Sequence, residues 1–174
     1  MKYLIRHAEK TNSSVHAKLS DQGLIDSKNY GKELWKSNTN IELIVTSPIE
    51  RCVQTAENIV LGINKDIPVI EAIELGNPGV YIRDDKKAMT IFEKFSLLEI
   101  FNLQLSKSEL DGFNSIDLAS QRLVDFINSH NKNTIFISHD AIIVPFINWL
   151  QKKQAINDFD MIDYLFEYKI SDFI

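Results

Sequence analysis

The hydrophobic positions along the chain form two alternating patterns, and this alternation predicts an α/β protein. Short runs of consecutive apolar residues, many of them β-branched, lie at residues 3–5, 41–47, 67–73 and within 133–140. Such runs predict buried strands. Between them, apolar residues recur three or four positions apart, as on one face of a helix. Strands that alternate with helices favour a largely parallel sheet with helices on both faces.

Local signals predict where several of these elements begin and end. Ser20 is a good N-cap for a first helix, and Pro48 is expected to lie just inside a second helix. Gly62 is expected to end that second helix. Pro68 places the third strand at an edge of the sheet. Helical spacing predicts further helices near 86–102, 116–130 and 141–153.

The last part of the chain shows a different pattern, because aromatic residues alternate there with polar ones. From Phe159 onwards this alternation predicts a terminal pair of strands that covers a sheet edge. The edge could belong to the same chain or to a second copy. The sequence does not decide the oligomeric state.

Composition narrows the class of protein. The chain has 174 residues, 44% of them hydrophobic and 25% charged, which is typical of one globular domain. A net charge of −5 argues against a general affinity for nucleic acid or anionic membranes. Cys52 is the single cysteine, which excludes an internal disulfide and a multi-cysteine zinc site. The start of the sequence lacks a secretory leader pattern, so we expect a cytoplasmic protein.

Basic and histidine side chains follow the predicted strands at the points where those strands end. The carboxyl ends of parallel strands meet at one edge of the sheet, where ligands of α/β proteins bind. A guanidinium buried there is costly unless an anion meets it. The anion is either a ligand or the partner in a structural ion pair. The strand ends carry Arg6 and His7, then Ser47 and Arg51, then His139 and Asp140.

Four segments resemble, in chain order, the recurring motifs of the histidine phosphatase superfamily, also called phosphoglycerate-mutase-like. They are LIRHAEK, LSDQGLIDSKNYGKEL, VTSPIERCVQTAENI and IFISHDAIIVPFINWL, within 3–62 and 133–151. The resemblance implies a single-domain three-layer sandwich with a mostly parallel central sheet. It also implies that residues of about 75–115, which lie between the matched segments, form a partial lid.

The resemblance assigns roles to four of these residues. His7 is implied to be the nucleophile that becomes a phosphohistidine, and Arg6, Arg51 and His139 are implied to hold the phosphoryl group. Arginine suits that task because its planar fork binds two oxygens at once. His7 has to attack as a neutral imidazole, and a carbonyl or carboxylate on its far nitrogen would select the tautomer. His139, if protonated, would add positive charge. The scheme requires no metal and no cofactor.

The resemblance leaves the proton donor open between two positions. Asp140 follows the second histidine, as in the acid-phosphatase branch, where the aspartate protonates the leaving group. Short members have instead an acid after the third strand, where Glu74 and Glu71 lie. Asp140 could alternatively cap a helix, and it or Glu9 could pair with an arginine.

Taken together, these features predict a metal-independent phosphomonoester phosphatase. Lys10 is an additional candidate phosphate contact. The expected substrate of this phosphatase is a small phosphorylated metabolite or a phosphoprotein, and no nucleic-acid or membrane partner is expected. A phosphomutase or phosphotransferase of the same family, and a catalytically silent phosphate-binding module, are the alternatives.

Overall fold

A computed structural model of the chain describes residues 1–14, 16–37, 39–76, 78–106 and 110–170, and it contains a central sheet with helices on both faces. The predicted alternation of strands and helices is therefore confirmed. The strands are β1 (Lys2–Arg6), β2 (Leu43–Thr46), β3 (Val69–Glu71), β4 (Thr134–Ser138) and β5 (Glu167–Lys169). The helices are α1 (Asp21–Lys36), α2 (Glu50–Ile63), α3 (Asp85–Phe92), α4 (Leu97–Ser106), α5 (Ile116–Asn128) and α6 (Asp140–Leu150).

The order of the strands places the predicted site residues at one edge of the sheet. The sheet runs β3-β2-β4-β1-β5, with all pairs parallel except β5, which is antiparallel to β1. Arg6 lies opposite Ser138 in the pairing of β1 with β4, and Thr46 lies opposite Ile137 in the pairing of β2 with β4. The residues that follow these three strands therefore emerge side by side. The edge position predicted from Pro68 is also confirmed, because β3 is a terminal strand.

Alternate residues of the strands face two separate hydrophobic cores. Tyr3 and Ile5 pack with apolar residues of α1 and α2, whereas Leu4, between them, packs with α5 and α6. This period of two is the geometry of a pleated strand covered on both faces. The three-layer arrangement thus follows from strands that are apolar on both sides.

Helices α1 and α2 approach each other closely at two glycines. A Cβ atom on Gly62 would lie 2.1 Å from the Lys28 carbonyl oxygen, and one on Gly31 would lie 2.2 Å from the Ile59 carbonyl oxygen. The prediction that Gly62 ends α2 is wrong, since the helix continues to Ile63 and is capped by Asn64 in a left-handed conformation. Gly62 is required for packing between helices and not for termination.

Two predicted helix starts differ in outcome. Ser20 is the N-cap of α1, as predicted, and its hydroxyl accepts a hydrogen bond from the Gly23 amide. Pro48 does not lie inside α2, whose N-cap is Ile49 and whose first residue is Glu50. The proline instead sits in the turn that leads from β2 into the helix.

The region predicted as one helix near 86–102 contains two. Helix α3 ends at Phe92 and α4 begins at Leu97. Ser96 interrupts the run, because its amide and hydroxyl both donate to the Glu99 carboxylate, at 2.7 and 2.8 Å. Apolar spacing continued across the break, so periodicity alone did not reveal it. Residues 77 and 107–109 of the predicted lid lie outside the described residues.

The terminal segment forms one short strand where a pair was predicted. Within the described residues from Phe159 to 170, only β5 is a strand, and it covers the β1 edge of the sheet of its own chain. Residues 171–174 lie outside the described part. None of the described helices is both long enough and apolar enough to cross a membrane.

Candidate active site

Three strand ends bring two histidines and an arginine into direct contact. His7 follows β1, His139 follows β4, and Arg51 lies in the first turn of α2, just after β2. The two imidazole rings are 5.2 Å apart between centroids. All three side chains are buried, with exposed fractions of 2% for His7, 7% for Arg51 and 5% for His139. The structure therefore brings together residues that are far apart in the sequence.

Hydrogen bonds determine the tautomer of His7. Its Nδ1 lies 2.7 Å from the Ala8 carbonyl oxygen, which can only accept, so Nδ1 carries the hydrogen. Its Nε2 lies 3.0 Å from Nε of Arg51, which can only donate, so Nε2 presents a lone pair. His7 is therefore a neutral imidazole whose nucleophilic nitrogen faces the guanidinium. The predicted carbonyl on the far nitrogen is present.

The same reasoning shows that His139 is neutral. Nη2 of Arg51 donates to Nδ1 of His139 over 3.0 Å, which leaves the hydrogen on Nε2, and that atom lies 3.0 Å from the Ser47 hydroxyl. The positive charge expected for a protonated His139 is thus not present in this arrangement. One guanidinium bridges both rings instead.

Burial and nearby cations both favour the neutral imidazoles. Burial lowers the pKa of His7 from its ordinary 6.5 to about 3, and the Arg51 and Arg6 guanidiniums act in the same direction. Burial, followed by the charge of Arg51, also holds the pKa of His139 well below its ordinary value. His7 is consequently unprotonated, and available as a nucleophile, throughout the neutral range.

These lowered pKa values predict that stability falls in mild acid. Between pH 7 and 5 the unfolded chain protonates its histidines while the folded chain keeps His7 neutral, so the free energy of unfolding decreases as pH falls. The expected contribution of His7 over this interval is about 2 kcal/mol. We expect urea unfolding of the wild type and of His7→Ala, measured at both pH values, to show the variant losing about 2 kcal/mol less. Parallel losses would show that His7 takes up a proton as easily in the folded protein.

Arg6 and Asp140 form an ion pair at the side of the histidines. Nη2 of Arg6 lies 2.6 Å from Oδ2 of Asp140, and the Arg6 guanidinium also stacks over the Tyr164 ring, 4.5 Å from its centroid. A second Arg6 nitrogen donates to the Ile162 carbonyl oxygen. The structural ion pair considered from the sequence is therefore present.

Asp140 is not the N-cap of α6. His139 occupies that position, and Asp140 is the first helical residue, with Oδ1 accepting from the Ala141 amide over 2.9 Å. A carboxylate in the first turn is still favourable because it faces the positive end of the helix dipole. Its second oxygen remains engaged with Arg6.

Side chains behind the site hold the strand ends in place. The Thr55 hydroxyl accepts from the Ala8 amide over 3.1 Å and donates to the Arg51 carbonyl oxygen over 2.7 Å, which joins the loop after β1 to α2. The Glu9 carboxylate accepts from the Ser20 hydroxyl over 2.6 Å. Glu9 therefore supports the start of α1 and is not paired with either arginine in the described contacts.

Gly76 fits closely against the second histidine. A Cβ atom there would lie 2.7 Å from Cδ2 of His139 and 2.8 Å from the Ser47 hydroxyl oxygen. Its φ of 144° also lies in a region that side chains disfavour. The glycine lets the loop after β3 close over the imidazole, so the position of His139 depends on it.

A cavity of about 700 Å³ adjoins this cluster. Arg51, His139 and Asp140 line it together with Lys10, whose ammonium donates to the Ser13 carbonyl oxygen over 3.3 Å. Burial lowers the pKa of Lys10, and Arg51 adds to that effect. His7 does not line this cavity, and its Nε2 accepts a hydrogen bond from Arg51, which does line it. A ligand in the cavity would therefore contact Arg51 before it contacts His7.

The structure does not bring the alternative acids to this cavity. Glu74 lies in a short 3₁₀ helix (Ile73–Leu75) and lines a second cavity of about 460 Å³, together with Arg122 and Asp125. Glu71 is exposed at the end of β3. Of the candidate proton donors, Asp140 is the one that lines the cavity beside the histidines.

Cys52 lies close to the site without the properties of a nucleophile. Its sulfur is 3.5 Å from Nε2 of His139 and is fully buried. Burial raises the pKa of Cys52 to about 12, so the thiol stays protonated. Within the described residues, no cluster of three or more histidine, cysteine, aspartate or glutamate side chains has the geometry of a metal site.

Sequence reasoning missed two residues of this site. Tyr164, whose ring contacts Arg6 and lies 5.8 Å from the His7 ring between centroids, carried no motif and stood only in an aromatic-rich tail. Gly76 was part of a turn-rich stretch with nothing to connect it to His139. Ser47, by contrast, was visible as a polar residue at a strand end.

Comparison with known proteins gives a family match over most of the chain. Residues 2–164 match the family described as histidine phosphatase superfamily (branch 1). None of the curated proteins matches.

Several solved structures are similar in fold. A mycobacterial glucosyl-3-phosphoglycerate phosphatase shares 15% identity, with 95% of this chain and 86% of the other covered and a TM-score of 0.63. An alpha-ribazole phosphatase from Shigella flexneri shares 20% identity over 86% of this chain and 78% of the other, with a TM-score of 0.57. The protein histidine phosphatase SixA shares 18% identity over 86% and 75%, with a TM-score of 0.54. At these identities the likeness concerns the fold.

Proposed function

The chain belongs to the histidine phosphatase superfamily, and we propose that it is a metal-independent phosphomonoester phosphatase that acts through a phosphohistidine on His7. The observation that carries this proposal is the state of His7. It is a neutral, buried imidazole whose Nε2 lone pair faces the guanidinium of Arg51 at the edge of a cavity. A nucleophile beside a fixed cation suits attack on a phosphate dianion.

Binding begins with an exchange of partners at Arg51. Its Nε and Nη2 now donate to two neutral imidazoles. A phosphate dianion is a stronger acceptor than an imidazole, because its negative charge attracts the guanidinium and two of its oxygens can accept parallel N–H bonds from it. The phosphate therefore takes over these donors and uncovers Nε2 of His7. Lys10 lines the same cavity and adds a further positive charge.

In the first chemical step, Nε2 of His7 attacks phosphorus and the bond to the ester oxygen breaks. The phosphoryl group moves to His7, and the leaving oxygen takes a proton from Asp140. The Ala8 carbonyl, which accepts from Nδ1, stabilises the positive charge that develops on the ring. In the second step, the Asp140 carboxylate accepts a proton from water, which attacks phosphorus and releases inorganic phosphate and neutral His7.

Asp140 has to be protonated for this role, although it is paired with Arg6 in the structure. When a phosphate dianion competes for Arg6, the carboxylate loses its cation and gains a like charge nearby. Both changes favour the neutral carboxyl group that a proton donor needs. Binding of the substrate phosphate would in this way favour the protonated form of Asp140 that the first step requires.

The proposal is tested by trapping the intermediate. The protein is incubated with ³²P-labelled phosphomonoester in the presence of EDTA, quenched in base, digested and mapped. Label on the peptide that contains His7 is expected, and it should be lost in acid. Transfer of label to an added alcohol, at the expense of free phosphate, would favour the phosphotransferase alternative. Unlabelled protein without turnover would contradict the phosphatase proposal and leave a binding module.

Arg51→Lys tests the bridging guanidinium. Lysine keeps the positive charge but cannot donate to both imidazoles and then to two phosphate oxygens, so we expect kcat/KM for p-nitrophenyl phosphate to fall about 10²-fold. The matched control is Arg122→Lys, since Arg122 lines the other cavity. Equal activity of the two variants would show that Arg51 supplies charge alone.

A further inference from the structure

The cavity beside the catalytic cluster is unlike the phosphate site itself, because most of its wall is apolar. Residues of α3, α4 and the segments around them supply that wall, within the region of about 75–115 that the sequence predicted to be a lid. The hydrocarbon and aromatic side chains of this wall include Ile82, Phe92, Ile100, Phe101 and Phe113, and Ile142 of α6 adds to them from outside that region. A phosphate group makes no use of such a surface.

Two polar side chains interrupt this apolar wall, Asp85 of α3, which is exposed, and Gln104 of α4, which is buried. Gln104 lines the cavity, is 8% exposed, and its Nε2 has no hydrogen-bond partner among the described residues. Buried amide donors are almost always paired, because an unpaired one costs free energy. Nε2 has almost no accessible surface where it stands, so a turn of the Gln104 amide toward the cavity would bring this donor to a ligand acceptor.

We propose that the substrate is a small phosphomonoester whose organic part is apolar, of the size of a fused ring, and carries a hydrogen-bond acceptor for Gln104. This inference rests on the proposed function, since the phosphate is assigned to Arg51 and His7. The volume of about 700 Å³ suits such a molecule, as small-ligand cavities span roughly 300–1,000 Å³ and combine apolar walls with a few placed polar groups. A phosphorylated protein side chain would leave most of this wall uncovered.

The substrate class is tested with primary alkyl phosphates that differ only in the organic group. Naphthylmethyl phosphate, ethyl phosphate and glycerol 3-phosphate have similar leaving groups, so differences in kcat/KM report on binding of the organic part. Burial of the ring system is expected to favour naphthylmethyl phosphate over ethyl phosphate by about 10²-fold. Equal values, or a preference for glycerol 3-phosphate, would overturn the proposed class while leaving the phosphatase proposal intact.

The role of Gln104 is tested with quinolinylmethyl phosphates, in which one ring CH of the naphthyl group is replaced by a nitrogen acceptor. At least one positional isomer should exceed the naphthyl compound by about tenfold, and Gln104→Met should abolish that difference. The ratio of naphthylmethyl to ethyl phosphate should survive in Gln104→Met, which shows that the variant is folded. Persistence of the quinoline preference in that variant would exclude Gln104 as the donor.

A matched pair of variants tests the apolar wall. Met89 lines the cavity and Leu118, on α5, does not, although both are 47% exposed. Met89→Gln should lower the naphthylmethyl-to-ethyl ratio severalfold, and Leu118→Gln should leave it unchanged. Equal ratios in the two variants would contradict the assignment of this wall.

Failure of catalysis is separated from failure of recognition by a binding measurement. Naphthylmethylphosphonate and ethylphosphonate cannot be hydrolysed, and their dissociation constants are obtained by calorimetry. Tighter binding of the naphthyl compound by a protein without turnover would refute the phosphatase proposal and support the ligand class. Equal dissociation constants for the two phosphonates, in an enzyme that turns over substrate, would refute the proposed substrate class and leave the phosphatase proposal intact.

Discussion

His7→Ala is expected to lower kcat by at least about 10⁴-fold, because loss of the nucleophile removes the covalent route altogether. The variant should still fold. His7 is a neutral side chain whose hydrogen bonds go to the Ala8 carbonyl and to Arg51, so its loss should cost about 1–3 kcal/mol of stability. The measurement is kcat with p-nitrophenyl phosphate, with urea unfolding to confirm the fold.

The control for this variant is His130→Ala. His130 lies just after α5, where its Nδ1 is 2.9 Å from the Phe126 carbonyl oxygen, away from the cluster of His7, Arg51 and His139. It should retain wild-type turnover. Activity of His7→Ala within about tenfold of wild type would contradict the phosphohistidine mechanism. Loss of an acid–base group alone lowers the rate by about 10²–10⁴-fold, so a tenfold loss is too small for loss of a nucleophile.

Asp140→Asn is expected to affect substrates according to their leaving groups. An alkyl oxide leaves poorly without a proton, so kcat for ethyl phosphate should fall about 10³-fold. A nitrophenolate leaves readily, so kcat for p-nitrophenyl phosphate should fall less than about tenfold. This contrast is the signature of a proton donor, and it follows from the position of Asp140 on the cavity wall beside His139.

A structural role for Asp140 would give a different result. The asparagine also loses the ion pair with Arg6, and that loss would reduce both activities by the same factor. Glu74→Gln is the matched control, because Glu74 lines the second cavity. A loss confined to alkyl esters in Glu74→Gln, with Asp140→Asn unaffected, would transfer the role of proton donor to Glu74.

The arrangement of charges explains why the site suits an anion in an acidic protein. The chain carries a net charge of −5, yet Arg6, Arg51 and Lys10 lie near one another at the strand ends. The carboxylate of Asp140 partly offsets them in the present state. Binding of a dianion therefore replaces an internal partner and does not require a new cation to be buried, which limits the cost of desolvation.

The sequence by itself indicated the candidate site residues and determined the type of fold. Apolar runs that end in Arg6-His7 and His139-Asp140 predicted the strands and a shared site, because parallel strands present their carboxyl ends at one edge. These two inferences needed only local patterns and one topological rule, whereas the roles proposed for the residues came from the resemblance to the histidine phosphatase superfamily. The break between α3 and α4 escaped them because the Ser96 and Glu99 contacts do not alter the apolar spacing.

Only the tertiary structure decided how those residues interact. Arg51 bridges imidazoles 44 and 88 positions away in the sequence, and burial of both rings together with that contact keeps them neutral. Tyr164 beneath Arg6, Gly76 against His139 and the unpaired amide of Gln104 likewise depend on segments that meet through packing. Local patterns specify which residues follow a strand, whereas protonation, access and substrate shape depend on distances between distant segments, and folding alone sets those distances.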